Sequence, residues 1–107
     1  MIMFERGNTY RQSGNIDDME YDFTFTRITF KDLAHDPECM PDVTIEERVD
    51  NLDNGDTDYI LTINEDIDDY YGKGFSGEFR NLLDLGHFLE NLTLSKMWRG
   101  FDYDSLT

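Results

Sequence analysis

Met19-Glu20-Tyr21-Asp22-Phe23-Thr24-Phe25-Thr26-Arg27-Ile28 is the stretch on which the fold turns. Tyr21, Phe23 and Phe25 alternate with Asp22, Thr24 and Thr26. Successive side chains on a strand point to opposite faces, so this pattern predicts a strand with one aromatic and one polar face. Ile28 and Phe30 then fall on the opposite phase. A β-bulge, or the start of a new element, accounts for the slip. Upstream, Met1 to Arg6 fits a strand with Gly7-Asn8 as a turn, while Ser13-Gly14-Asn15 and Asp17-Asp18 read as loop. Downstream, Thr29 and Asp32 are placed to cap one or two helical turns through Leu33 and Ala34. Pro37 and Pro41 end any such helix and make residues 36–42 a loop.

Residues 43–64 predict a hairpin. Val43, Ile45 and Val49 share one phase, Asp53-Asn54-Gly55-Asp56 is a strong turn signal, and Tyr59, Leu61 and Ile63 alternate in a second strand. A helical reading of 44–52 competes, because Thr44 and Glu47 fit a capping box and Ile45, Val49 and Leu52 fit a helical face. Residues 64–77 form a polar, glycine-rich connection. Ser76 is the expected cap of a helix running to about Asn91, with Phe79, Leu82, Leu83, Leu89 and Leu92 as its apolar stripe, widened by Leu85 and Phe88. Gly86 within it suggests close packing. Leu94, Met97, Trp98, Phe101 and Tyr103 carry enough apolar mass for a final packed strand. The expected architecture is α+β: a small, mostly antiparallel sheet with one main helix packed on it, in a single domain of residues 1–107.

The chain has 107 residues, 24 of them Asp or Glu against 9 Lys or Arg, for a net charge of −15. Its eight Phe, six Tyr and one Trp argue for a packed core and against a disordered chain. A compact monomer of this mass exposes about 6,200 Å². So large a charge destabilises the compact state by self-repulsion, and a function that uses it is the natural explanation. Solubility alone asks for a net charge of only about 2–8. Anionic membrane surfaces and direct binding to nucleic acid are both disfavoured.

The acids are unevenly placed. Residues 32–69 hold fourteen carboxylates and one base, Arg48, so thirteen of the fifteen net negative charges lie in about one third of the chain. On a strand, alternate side chains lie about 6.8 Å apart on one face. A row of carboxylates at that spacing presents an array that a phosphate-gripping site can also grip. The candidate partner-binding residues of the hairpin are Glu46, Glu47, Asp50, Asp53, Asp56 and Asp58. Those of the connection that follows are Glu65, Asp66, Asp68, Asp69, Tyr70 and Tyr71. A short acidic chain with tyrosines interleaved among its carboxylates at Tyr59, Tyr70 and Tyr71 resembles the small phage-encoded anti-defence proteins, including anti-CRISPR and anti-restriction DNA mimics. The resemblance is one of composition over residues 32–71. It implies inhibition of a nuclease or a nucleic-acid-guided complex by occupation of its basic channel. An immunity protein or antitoxin that neutralises a basic toxin is the alternative.

Other motifs carry less. Gly72-Lys73-Gly74-Phe75-Ser76-Gly77 matches G-x-G-x-x-G, but the acidic stretch Asn64 to Tyr71 leads into it where a dinucleotide fingerprint needs an apolar strand. A calcium loop begun at Asp50 places Gly55 at its sixth position, yet puts Leu52 at a ligand position and Leu61 at the twelfth, which excludes an EF-hand. A loose cation site at Asp53, Asp56 and Asp58 is the remnant of that idea. His35 and His87 lack the spacing of a zinc site. Cys39, the one cysteine, sits among carboxylates that disfavour a reactive thiolate and has no partner for an internal disulfide. Trp98 and Phe101 fit core packing better than an exposed anchor. No signal-peptide pattern and no long apolar run is present, so a cytoplasmic, non-enzymatic binding protein without a cofactor is the expectation, with a basic protein surface as partner.

Overall fold

The structure, a computed structural model, describes the backbone of residues 2–105 and the side chains of residues 2–98. Five strands form one antiparallel sheet in sequence order: β1 (Ile2–Ile16), β2 (Met19–Asp32), β3 (Val43–Asp50), β4 (Asp56–Ile63) and β5 (Ser76–Phe79). One helix, α1 (Leu82–Ser105), packs on one face. The fold is therefore the α+β arrangement expected from the pattern.

β2 is a single unbroken strand, and its slip in phase has another cause. Even-numbered positions Thr26, Ile28, Phe30 and Asp32 face the helix, while Tyr21, Phe23 and Phe25 face the other way. The two apolar halves of one strand thus serve opposite faces of the sheet. The bulge lies in β1 instead. Arg6 opposes Ile28 and Thr9 opposes Thr26, so three steps on β1 match two on β2, and Gly7 and Asn8 together stand opposite Arg27 as a bulge and not a turn. Gly7 sits close under Arg27, whose carbonyl oxygen is 3.5 Å from where a Cβ would be. The reversal comes at Asp17 and Asp18, both in the left-handed region at φ 51° and 65°, which gives the primed two-residue turn that matches strand twist. Ser13-Gly14-Asn15 is strand, not loop.

The β3–β4 hairpin forms as the alternation predicts, and the helical reading of 44–52 does not occur. Its turn uses Asn54 and Gly55 at positive φ, with the Asp50 carbonyl accepting from Gly55 N at 3.0 Å. Asp32 caps no helix. Its carboxylate accepts from Ala34 N at 3.0 Å in a local turn, because Pro37 follows too soon for a helix to propagate, and only a 3₁₀ turn forms at Pro37–Cys39.

The helix begins later than Ser76. Residues 76–79 pair with β4 from Thr62 to Tyr59, which puts Phe79 on a strand. Asn81 is the true cap: its side-chain oxygen accepts from Asp84 N at 2.8 Å, and its amide reaches the Asp84 carboxylate at 3.3 Å. The expected C-terminal strand is absent among the described residues, since α1 continues through it. Trp98 is 61% exposed and not core, while the side chains of Phe101 and Tyr103 lie outside the described residues.

Leu85, Leu89 and Leu92 of α1 meet Ile28, Ile45, Leu61 and Ile63 of the sheet, with Ile67 and Tyr59 closing the cluster. Lys96 fastens the far end, donating to the Met40 carbonyl and the Glu65 carboxylate, each at 3.0 Å. The helix covers only part of one face. The β1–β2 hairpin therefore projects, and the molecule measures 58 × 28 × 20 Å with a radius of gyration of 16.3 Å, against about 13 Å for a compact chain of this length. Its accessible surface of 7,595 Å² exceeds the compact expectation for the same reason.

Gly86 is not required by packing. A methyl group there would rest 3.9 Å from the Phe4 ring, at ordinary contact distance. Gly86→Ala should therefore stabilise the protein by about 1 kcal/mol through helix propensity, read as a higher urea midpoint at unchanged slope. A lower midpoint would show that helix and sheet approach more tightly than this spacing.

Candidate surface for a basic partner

The register separates the acidic residues into two groups. Asp50 opposes Asp56 at one end of the β3–β4 hairpin, and Val43 opposes Ile63 at the other. Seven steps of an extended strand place these ends about 23 Å apart. Asp50, Asp53, Asp56 and Asp58 lie at the turn end. Asp42, Glu65, Asp66, Asp68 and Asp69 lie at the loop end with Tyr70 and Tyr71. The sequence-predicted residues therefore form two patches and not one continuous row.

Glu46 and Glu47, between the patches, point to opposite faces. Glu47 is only 5% exposed, on the helix side. It accepts from Arg6 at 2.7 Å and from the Tyr59 hydroxyl at 2.9 Å, so it is a structural carboxylate turned away from any partner. Glu46 sits on the open face and accepts from the Tyr10 hydroxyl. Burial, and then the bond to Glu47, push the Tyr59 phenol above its ordinary value of 10.0. A raised phenol pKa favours the neutral form in the folded state, so its contribution is complete below pH 10 and is lost as pH rises through the folded value. Tyr59→Phe should flatten that alkaline loss in a stability–pH profile. An unaltered profile would place the alkaline sensitivity elsewhere.

At the loop end, several carboxylates hold the chain itself. Asp68 accepts from Tyr70 N and Tyr71 N at 2.8 and 2.7 Å, and Asp66 accepts from Lys73 N at 3.0 Å. Glu65 accepts from Asp42 N at 2.6 Å as well as from Lys96. Tyr71 packs edge-on against Phe75 and Phe88 at the margin of the core, whereas Tyr70 is 79% exposed. The glycine-rich stretch is part of this loop. Gly74, at φ 94°, donates to the Ile63 carbonyl, and Phe75 returns the chain to the sheet, so Gly77 lies in β5 and not in a helix cap.

At the turn end, Asp53 and Asp56 are exposed and make no ion pair with a described residue. Arg48 grips Asp58 through two bonds at 3.0 and 2.6 Å and lies 3.5 Å from Glu78. Its guanidinium sits 5.3 Å above the Phe23 ring. Arg11 with Asn51 holds Asp22 at a pKa of about 2 at the base of the projecting hairpin. No group of three or more His, Cys, Asp or Glu side chains among the described residues is placed to hold a metal ion. No helix there is long and apolar enough to cross a membrane.

Alternation alone did not mark the open face of the sheet as a surface. Tyr10 stacks on Phe25 at 5.2 Å, and Phe25, Phe23 and Tyr21 follow along β2 at 6.0 and 6.2 Å. None of the four belongs to the core cluster or its margin. The signal for them was the opposed phase of Tyr21, Phe23 and Phe25 against Ile28 and Phe30. No protein-family model, curated protein or solved structure shows significant similarity to the chain.

Proposed function

We propose that this protein is an inhibitory binding protein whose acidic surface occupies the basic nucleic-acid-binding site of a nuclease or CRISPR-type defence complex, as a nucleic-acid mimic. The observation that carries it is charge: thirteen of fifteen net negative charges fall in residues 32–69, and exposed carboxylates stand at both ends of the β3–β4 hairpin. Such a surface favours fast, salt-sensitive capture of a basic protein. In this reading it acts in the cytoplasm by occupancy, without catalysis or a cofactor.

The half-buried aromatic strip beside the acids, with Tyr10 exposed, supports a second reading, an immunity protein or antitoxin, because aromatic side chains anchor protein–protein interfaces. The test is affinity capture from bacterial lysate with and without nuclease treatment, followed by competition with duplex DNA or a guide–target duplex. Release of a basic nuclease or guided complex by the duplex is the expected result. Recovery of a single toxin-like protein that no nucleic acid displaces would replace the mimic reading with the immunity one.

A further inference from the structure

The open face of the sheet ends in a groove of about 750 Å³ that crosses β2 to β5 at the turn end. Phe23 supplies its aromatic wall, while Phe79 lines it from the end of β5 with its ring packed on Phe88 on the helix side. Asp50, Asp56, Asp58 and Glu78 line it with Arg48 and Arg80. Volumes of about 300–1,000 Å³ hold drug-sized ligands, so the space suits a short segment and not merely an ion. Asp58 is matched by Arg48. Asp50 and Asp56 are direct cross-strand partners of like charge, an arrangement that disfavours the free protein and that a cation between them relieves. The groove opens beside the Tyr10, Phe25 and Phe23 rings, which no described element covers.

We infer that this face is the docking surface, and that its occupant is an arginine-bearing segment of the partner protein, with a guanidinium seated between Asp50 and Asp56 beside the aromatic strip. Charge complementarity sets the sign of the occupant, four carboxylates against two bases. Arginine is preferred over lysine because a planar guanidinium can both bond carboxylates in pairs and stack on an aromatic ring. Arg48 does both on this surface already, bonding Asp58 through two nitrogens while lying over Phe23. Carboxylates at both ends bond backbone amides: Asp50 accepts from Leu52 N at 3.0 Å, as Asp66 does from Lys73 N. The turn end is preferred because its carboxylates line the groove beside Phe23, where Arg48 already shows the binding mode.

The inference rests on the reading of the partner as a basic protein, and its test is separate from the duplex competition that tests that reading. The ¹⁵N-labelled full chain is titrated with a capped hexapeptide of alternating arginine and glycine, and in parallel with its lysine counterpart. Saturable shifts centred on Phe23, Arg48, Asp50, Asp56 and Glu78 are expected, with the arginine peptide the tighter binder. Asp56→Asn should weaken it, and Phe23→Ala should weaken it about tenfold. Shifts centred on Asp66, Asp69 and Tyr70, unsaturable shifts over all the acids, or equal binding of the two peptides would overturn the inference. Peptide-independent broadening of the groove residues with rising protein concentration would overturn it too, by making a second copy the occupant.

Discussion

Leu89→Ala should cost this protein about 2–5 kcal/mol, while Leu94→Ala on the same helix should cost about 0.5 kcal/mol. Leu89 is fully buried between α1 and the sheet, whereas Leu94 is 41% exposed. Truncation at Leu89 removes packing that one partly covering helix cannot replace, and it leaves a cavity against Ile45, Leu61 and Ile63. Among the described residues the core is a cluster of nine, three of them on α1 itself, and domains of this size have only about 5–15 kcal/mol to lose. A midpoint drop of more than about 10 °C is therefore expected for Leu89→Ala. Urea unfolding of the pair settles the matter. Equal losses would mean that α1 does not seat Leu85, Leu89 and Leu92 on the sheet.

The second large effect concerns charge. Reversing Asp53 and Asp56 to Lys should weaken partner binding at least about a hundredfold, because close charge pairs across interfaces couple by about 1.5–7 kcal/mol. Reversing Asp66 and Asp69 should weaken it less, and mainly through the association rate. All four residues are exposed and lie outside the core, so the sheet and helix should survive, with Asp66→Lys loosening only the loop bond to Lys73 N. Each reversal moves the net charge by two, so the fourfold variant stands at about −7 and should be more stable than the parent at low salt. Added NaCl should raise the parent's midpoint for the same reason, since a Debye length of about 8 Å at physiological ionic strength screens the repulsion. Binding that withstands both double reversals would remove the carboxylates from the interface and leave the aromatic strip, or Trp98, as the contact. A midpoint indifferent to salt would mean that the acids are already too dispersed to repel.

Local pattern was enough for the elements whose signals are local. Alternation in Tyr21 to Ile28 and in Tyr59 to Ile63, with Asn54-Gly55 between strands, determined two strands and a hairpin, because side-chain period and turn chemistry depend on near neighbours. The apolar stripe of Leu82 to Leu92 determined the helix, though not its start. Ser76 and Asn81 are both good caps, and only the pairing of Ser76–Phe79 with β4 decides that the first is strand. Composition likewise determined the acidity and its concentration in residues 32–69.

What the acids do with one another was left to the tertiary structure. Neighbours in sequence such as Glu46 and Glu47 part to opposite faces, one onto Tyr10 and the other into a buried pairing with Arg6 and Tyr59. Asp50 and Asp56 meet across a strand pair, while Asp66 and Asp69 lie in the loop that follows the hairpin's far end, itself about 23 Å from them. The helix, by covering one face and leaving the other open, decided which aromatic residues became core and which became surface. Ile28 and Phe30 were covered; Phe23 and Phe25, five residues earlier on the same strand, were not. Sequence determines the period of a strand, but the face that is buried depends on where a distant helix lands, and that is set by long-range packing.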